Sequence, residues 1–86
     1  MHNLIGELKG FVDRQLGAEE SGRIDWLAAS DEALGWIGRL DEHGLEVSPA
    51  VVLFLEETLL RRDPHFGLLR REQMRKALTD GTAFPD

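Results

Sequence analysis

The residues best equipped for chemistry in this 86-residue chain are its bases. Six of the ten Lys and Arg fall within one stretch: Arg61, Arg62, Arg70, Arg71, Arg75 and Lys76. A guanidinium presents five N–H donors in a rigid fork, so clustered arginines bind carboxylates or phosphates. Local pairing accounts for two of these bases. Glu57 stands four residues before Arg61 and Glu72 four before Lys76, an order that supports a helix surface by about 0.2–0.5 kcal/mol per pair. Arg62, Arg70, Arg71 and Arg75 are left without an obvious local acid. By helical angle Arg70 falls on an apolar side, where it must snorkel to water or meet a carboxylate from elsewhere. Leu68 lies near Arg71 and Arg75 on an outer face, the pattern of an apolar anchor flanked by arginines.

Other side chains offer less. Leaving Asp/Glu neighbours aside, His2, His43 and His65 have no second ligand at i+3 or i+4 and read as helix-end residues, so no metal is expected. Asp41-Glu42-His43-Gly44 lacks the alternating oxygen donors and the twelfth-position Glu of a calcium loop. Of Ser21, Ser30 and Ser48, two read as caps. The chain has no glycine-flanked serine elbow, no phosphate-binding loop and no dinucleotide fingerprint. Glu19-Glu20 reads as part of a polar loop rather than as an acid/base pair. With no Cys, thiolate zinc sites, iron–sulfur ligation, disulfides and a cysteine nucleophile are excluded. No catalytic residue, cofactor or metal is therefore expected, and the chain does not read as an enzyme.

Charge is uneven along the chain. Net charge is −6 overall, with −8 in residues 1–57 and +2 in residues 58–86. A net-acidic chain is a poor general ligand for nucleic acid, whose affinity comes mainly from many positive contacts. The longest apolar run is 51–55, far short of the roughly 20 residues a membrane span needs. Met1 to Glu7 lack the basic block and apolar run of a signal peptide. The absence of Cys also favours a reducing compartment, and the expectation is a soluble cytoplasmic protein.

These side chains must be positioned by helices, because the apolar residues recur with a period near 3.6 and nowhere alternate at length. The pattern predicts a first helix over 4–16, capped by Asn3 and stopped at Gly17. Gly6 and Gly10 fall on its outer face. A polar loop at 18–22 and a short helical segment over 23–28 follow. A second main helix opens at Ser30 and stops at Gly44, with Leu45 as the hydrophobic contact of a Schellman motif. Ser48-Pro49 opens a helix over 49–62, and Asp63-Pro64 opens another over 64–79. Residues 82–86 read as a flexible tail. The predicted core is Leu4, Leu8, Phe11, Val12, Leu27, Leu34, Ile37, Leu40, Val52, Leu55, Leu59, Leu69 and Leu78, with Trp26 and Trp36 half-buried.

The 49–62 helix is apolar on two sides. Val51, Val52, Leu55 and Leu59 form one stripe, and Leu53 and Leu60 a second ridge roughly opposite. Such a helix is either central to the bundle or exposes a partner site or homodimer seam. The fold expected is thus all-α, one domain of four main helices and a short one around that central helix. The function expected is a small protein–protein interaction module that regulates, inhibits or adapts a partner. Leu53, Leu60, Arg62, Leu68, Arg71 and Arg75 would meet an acidic, partly apolar patch. In a second mode the acidic half (Glu19, Glu20, Asp31, Glu32, Asp41, Glu42, Glu46) would mask a basic site. The alternative is a helix-turn-helix around Arg62-Asp63-Pro64. Its second helix would offer His65, Phe66 and Gly67 to the groove, weak chemistry for reading bases.

Overall fold

The computed structural model describes residues 3–84 and contains four α-helices: α1 (Leu4–Ser21), α2 (Trp26–Glu42), α3 (Pro49–Glu56) and α4 (Pro64–Asp80). A 3-10 turn, Leu59–Arg62, joins α3 to α4, and no strand occurs among the described residues. The all-α expectation holds. His2 and the last two residues of the expected tail lie outside the described residues.

Start signals are local. Asn3, Asp25, Ser48 and Asp63 each accept a hydrogen bond from the backbone N–H three residues on, at 2.9, 3.2, 3.4 and 2.8 Å. Pro49 and Pro64 follow two of these caps at positions where a missing N–H is harmless. Stop signals are shared too. Gly22, Gly44 and Gly81 have φ of 72°, 62° and 72°, a left-handed turn that other residues adopt at a cost. Around each glycine the paired bonds of a Schellman motif close; at Gly44 they are Leu45 N–H to the Leu40 carbonyl and Gly44 N–H to the Asp41 carbonyl.

Two boundaries differ from expectation. Helix α1 runs through Gly17, where the backbone stays helical, and ends five residues later at Gly22. Glu19 and Glu20 therefore belong to a helix, not to a loop. The separate segment expected over 23–28 is the first turn of α2, because Asp25 supplies the cap and Ser30 lies inside the helix.

The 49–62 helix is also broken. The α-helix ends with the bond from Glu57 N–H to the Leu53 carbonyl; beyond it Arg61 N–H is shared between the Glu57 and Thr58 carbonyls, while the Phe54 and Leu55 carbonyls lose their helical partners. Side chains replace them: the buried Thr58 hydroxyl donates to the Leu55 carbonyl at 3.0 Å, and Arg61 Nη1 donates to the Phe54 carbonyl. The break spoils the seven-residue register that would have placed Leu53 and Leu60 on one ridge.

The core comprises Leu8, Phe11, Val12 and Leu16 of α1, Ala33, Trp36 and Leu40 of α2, Val51, Phe54 and Leu55 of α3, and Met74 and Ala77 of α4. Trp36 is buried rather than half-buried and meets Phe11 at 6.3 Å between ring centroids. Leu27, Leu34 and Leu69, expected in this core, are exposed. In α2 the buried positions are Ala29, Ala33, Trp36 and Leu40, so small alanines face inward while Leu27 and Leu34 lie on another side. The segment after α4 is anchored at its start. Ala83 is buried, Phe84 packs against the core, and Ser48 N–H donates to the Ala83 carbonyl at 3.3 Å.

Candidate interaction surface

Most of the arginines that sequence left unpaired are bound to carboxylates of other elements. The centre is Glu19, whose side chain is fully buried in the last turn of α1. Arg61, also buried, donates from Nε to Glu19 Oε1 and Oε2 at 3.0 and 3.1 Å and from Nη2 to Oε2 at 3.0 Å. Its guanidinium lies 3.8 Å from the centroid of the Phe54 ring. Gln15 Nε2 and Arg71 Nη1 donate to the same carboxylate, each at 3.0 Å. Among the described residues no buried side-chain nitrogen or oxygen lacks a partner.

The reason for this knot lies at the end of α1. A helix C-terminus is the negative end of its dipole, and α1 places Glu19 and Glu20 there with no base in its last turn. Arg61, Arg71 and Arg75 deliver the missing positive charge from the 3-10 turn and α4. Arg75 Nε and Nη2 hold Glu20 at 3.1 and 2.6 Å. The hydrogen bond from Arg75 holds the Glu20 carboxyl below the usual carboxylate range, and Glu20 in turn raises Arg75.

The expected local pairs Glu57–Arg61 and Glu72–Lys76 do not form. Glu57 accepts instead from Arg70 Nε at 3.1 Å, and Arg70 continues to Gln73 and lies 4.8 Å from the Phe66 ring centroid. Lys76 pairs with Asp80 at 2.7 Å, which raises its pKa. Arg62 donates to the Leu59 carbonyl at 3.1 Å. Of the six residues expected to meet a partner, then, Arg71 and Arg75 are engaged internally, while Leu53, Leu60 and Leu68 stand in water at 43, 60 and 55% exposure. They lie on three elements: Leu53 borders a shallow groove with Ala50, Arg70 and Gln73, Leu60 is on the 3-10 turn, and Leu68 is on α4.

Gly67 is the glycine most closely approached by another element. A Cβ there would lie 2.4 Å from the Arg61 carbonyl oxygen, so α4 and the 3-10 turn meet backbone to backbone. By contrast, the outer-face glycines of α1, Gly6 and Gly10, have no other element's backbone against them.

Leucines that sequence assigned to the core form a further surface. Leu27 and Leu34 are 70 and 61% exposed. They are seven residues apart in one continuous helix, so they stack two turns apart on one face. A cleft of about 300 Å³ also opens among Asn3, Lys9, Leu78 and Phe84, with Lys9 its one ionisable side chain among the described residues. Among the described residues no group of three or more His, Asp or Glu could hold a metal ion. No described helix is long and apolar enough to cross a membrane. Comparison of this four-helix domain with family models, curated proteins and solved structures finds no match.

Proposed function

We propose that the chain is a small protein-interaction module, a regulator or adaptor rather than an enzyme, that binds a partner protein through leucines its fold leaves in water. The observation that carries this reading is the exposure of Leu27 and Leu34 on one face of α2 while the core is closed by other residues. A lone exposed leucine means little, but apolar groups aligned on one face mark partner sites. Leu53, Leu60 and Leu68 are further candidate anchors, with Arg62 and Arg75 as polar rim. Arg71 serves less well, because leaving Glu19 would uncover a buried carboxylate.

The nucleic-acid alternative has weaker support. Arg70, Arg71 and Arg75 are each occupied by an internal carboxylate, and Gly67 is pressed against the Arg61 backbone. A labelled duplex titrated at low salt is expected to show no retardation.

The test of the main reading is differential cross-linking from the source cell extract. Wild type is compared with Leu27→Gln/Leu34→Gln and with Leu53→Gln/Leu60→Gln, all quantified by mass spectrometry. A protein captured by wild type and lost with one leucine pair supports the reading. An identical captured set for all three chains overturns it.

A further inference from the structure

Resting on the reading above, we infer that the outer face of α2 is a docking groove for a basic amphipathic helix of a partner protein. At 100° per residue, Leu27, Leu34 and Gly38 fall within about 40° of one another. Asp31, Asp41 and Glu42 flank them, all exposed and in no ion pair among the described residues. None of the α2 residues on this face is a base. Arg39, the single base of α2, turns to the other side, where it stacks 4.0 Å from the Trp36 ring centroid and pairs with Glu7 at 3.2 Å.

The chemistry of the occupant follows from that rim. Two leucines about 10.5 Å apart along a helix axis present the spacing that i and i+7 anchors of a second helix match. Three unneutralised carboxylates beside them ask for Lys or Arg on the incoming surface. The same carboxylates argue against a second copy of this chain, since an isologous contact would set acid against acid in a molecule already at −6. They equally repel nucleic acid and anionic lipid. Small residues assist the approach: a Cβ at Gly35 or Gly38 would meet nothing within 4 Å, so these glycines relieve no crowding inside the molecule although each weakens its helix.

The experiment uses the full chain and a fluorescein-labelled 18-residue helical peptide with leucines at i, i+3, i+4 and i+7 and lysines elsewhere. A matched peptide carries glutamates in place of the lysines. Fluorescence anisotropy is expected to show saturable binding of the lysine peptide alone. Binding should weaken at least about tenfold for Leu27→Gln/Leu34→Gln. For Asp31→Asn/Asp41→Asn/Glu42→Gln it should weaken and lose its dependence on salt as the Debye length falls from about 10 to about 3 Å. All these positions are exposed and glutamine is as good a helix former as leucine, so circular dichroism and thermal midpoint should match wild type.

Binding that survives Leu27→Gln/Leu34→Gln, or a glutamate peptide that binds equally well, overturns the proposal. If Leu53→Gln/Leu60→Gln removes binding instead, the α2 assignment falls and the interaction-module reading stands. Equal binding by every leucine variant sinks both. Light scattering closes the remaining route: a dimer that Leu27→Gln/Leu34→Gln converts to monomer would give the face to a second copy and overturn the assignment.

Discussion

Two regions of the molecule exchange the roles their residue types suggest. At the junction of α1, the 3-10 turn and α4, an arginine is 1% exposed; on α2 a leucine is 70% exposed. The difference shows that burial here follows the partner available rather than hydrophobicity. Arg61 can be buried because Glu19, the Phe54 carbonyl and the Phe54 ring take its donors and its flat face. Leu27 stays outside because the inward side of α2 is already filled by Ala29, Ala33, Trp36 and Leu40. The charged junction holds the fold together, which leaves the apolar face of α2 free for something else.

The hardest blow to that contrast is Glu19→Gln. It keeps the shape but removes the charge that balances Arg61 where both side chains are buried. Breaking a buried pair from one side costs about 3–5 kcal/mol, a large part of the 5–15 kcal/mol that holds a typical domain. Urea denaturation followed by circular dichroism should show the loss. A change below about 1 kcal/mol would mean that the junction is wetter than its geometry shows. Replacing both Glu19 and Arg61 by apolar residues should not restore the loss fully, because Arg71, Gln15 and the Phe54 carbonyl would then be left without partners.

Leucine truncation probes the other side. Leu55→Ala, in the core, should cost about 2–5 kcal/mol. Leu34→Ala should stay within about 0.5 kcal/mol of wild type. The gap between two chemically identical deletions measures how completely α2 turns its leucine outward. Comparable losses would show that Leu34 is packed in solution.

The backbone contact that supports the junction comes next. Gly67→Ala should cost about 1–3 kcal/mol, the usual penalty for overpacking, because the new methyl group meets, besides Arg71 Nη1, the Arg61 carbonyl, which cannot swing away. Gly35→Ala is its control and should stabilise, since nothing stands within 4 Å and alanine is the better helix former.

Sequence disclosed three of the four helix starts, missing the Asp25 cap in favour of Ser30, and much less of what the helices hold. Asn3, Ser48-Pro49, Asp63-Pro64 and Gly44-Leu45 are local devices, and each acts where its neighbours in the chain say it should. The arginine partners are tertiary: Glu19 is 42 residues from Arg61 and 52 from Arg71, and no window of sequence contains both ends. One signal was available. Extended past Gly17 to Gly22, α1 puts Gln15 and Glu19 in line with Leu8, Val12 and Leu16, so the helix buries polar residues on its apolar stripe. A carboxylate there requires cations, and the chain has surplus arginines. In α2 the sequence misleads the other way, because bulk is no sign of burial there: two alanines occupy inward positions beside Trp36 and Leu40.

The mildest test concerns the rim of the junction, where burial gives way to solvent. Glu20 and Arg75 form an ion pair whose side chains are 44 and 45% exposed, so water screens most of its attraction. Exposed pairs are worth about 0.2–1 kcal/mol. The sign of the pH dependence follows from Glu20. Its pKa is lowered in the fold by the hydrogen bond from Arg75. Its contribution is therefore present above the unfolded value, near 4.5, and is lost as pH falls through the lowered folded value. Arg75, its pKa raised by the hydrogen bond to Glu20, stays charged across the whole acid and neutral range and adds no slope there. Arg75→Gln should accordingly destabilise slightly at pH 6 and hardly at all near pH 2, measured as the difference in urea midpoint from wild type. If the difference persists undiminished in acid, the stem of Arg75 matters by packing and not by charge. The boundary between the polar junction and the open surface would then lie one helical turn further out along α4.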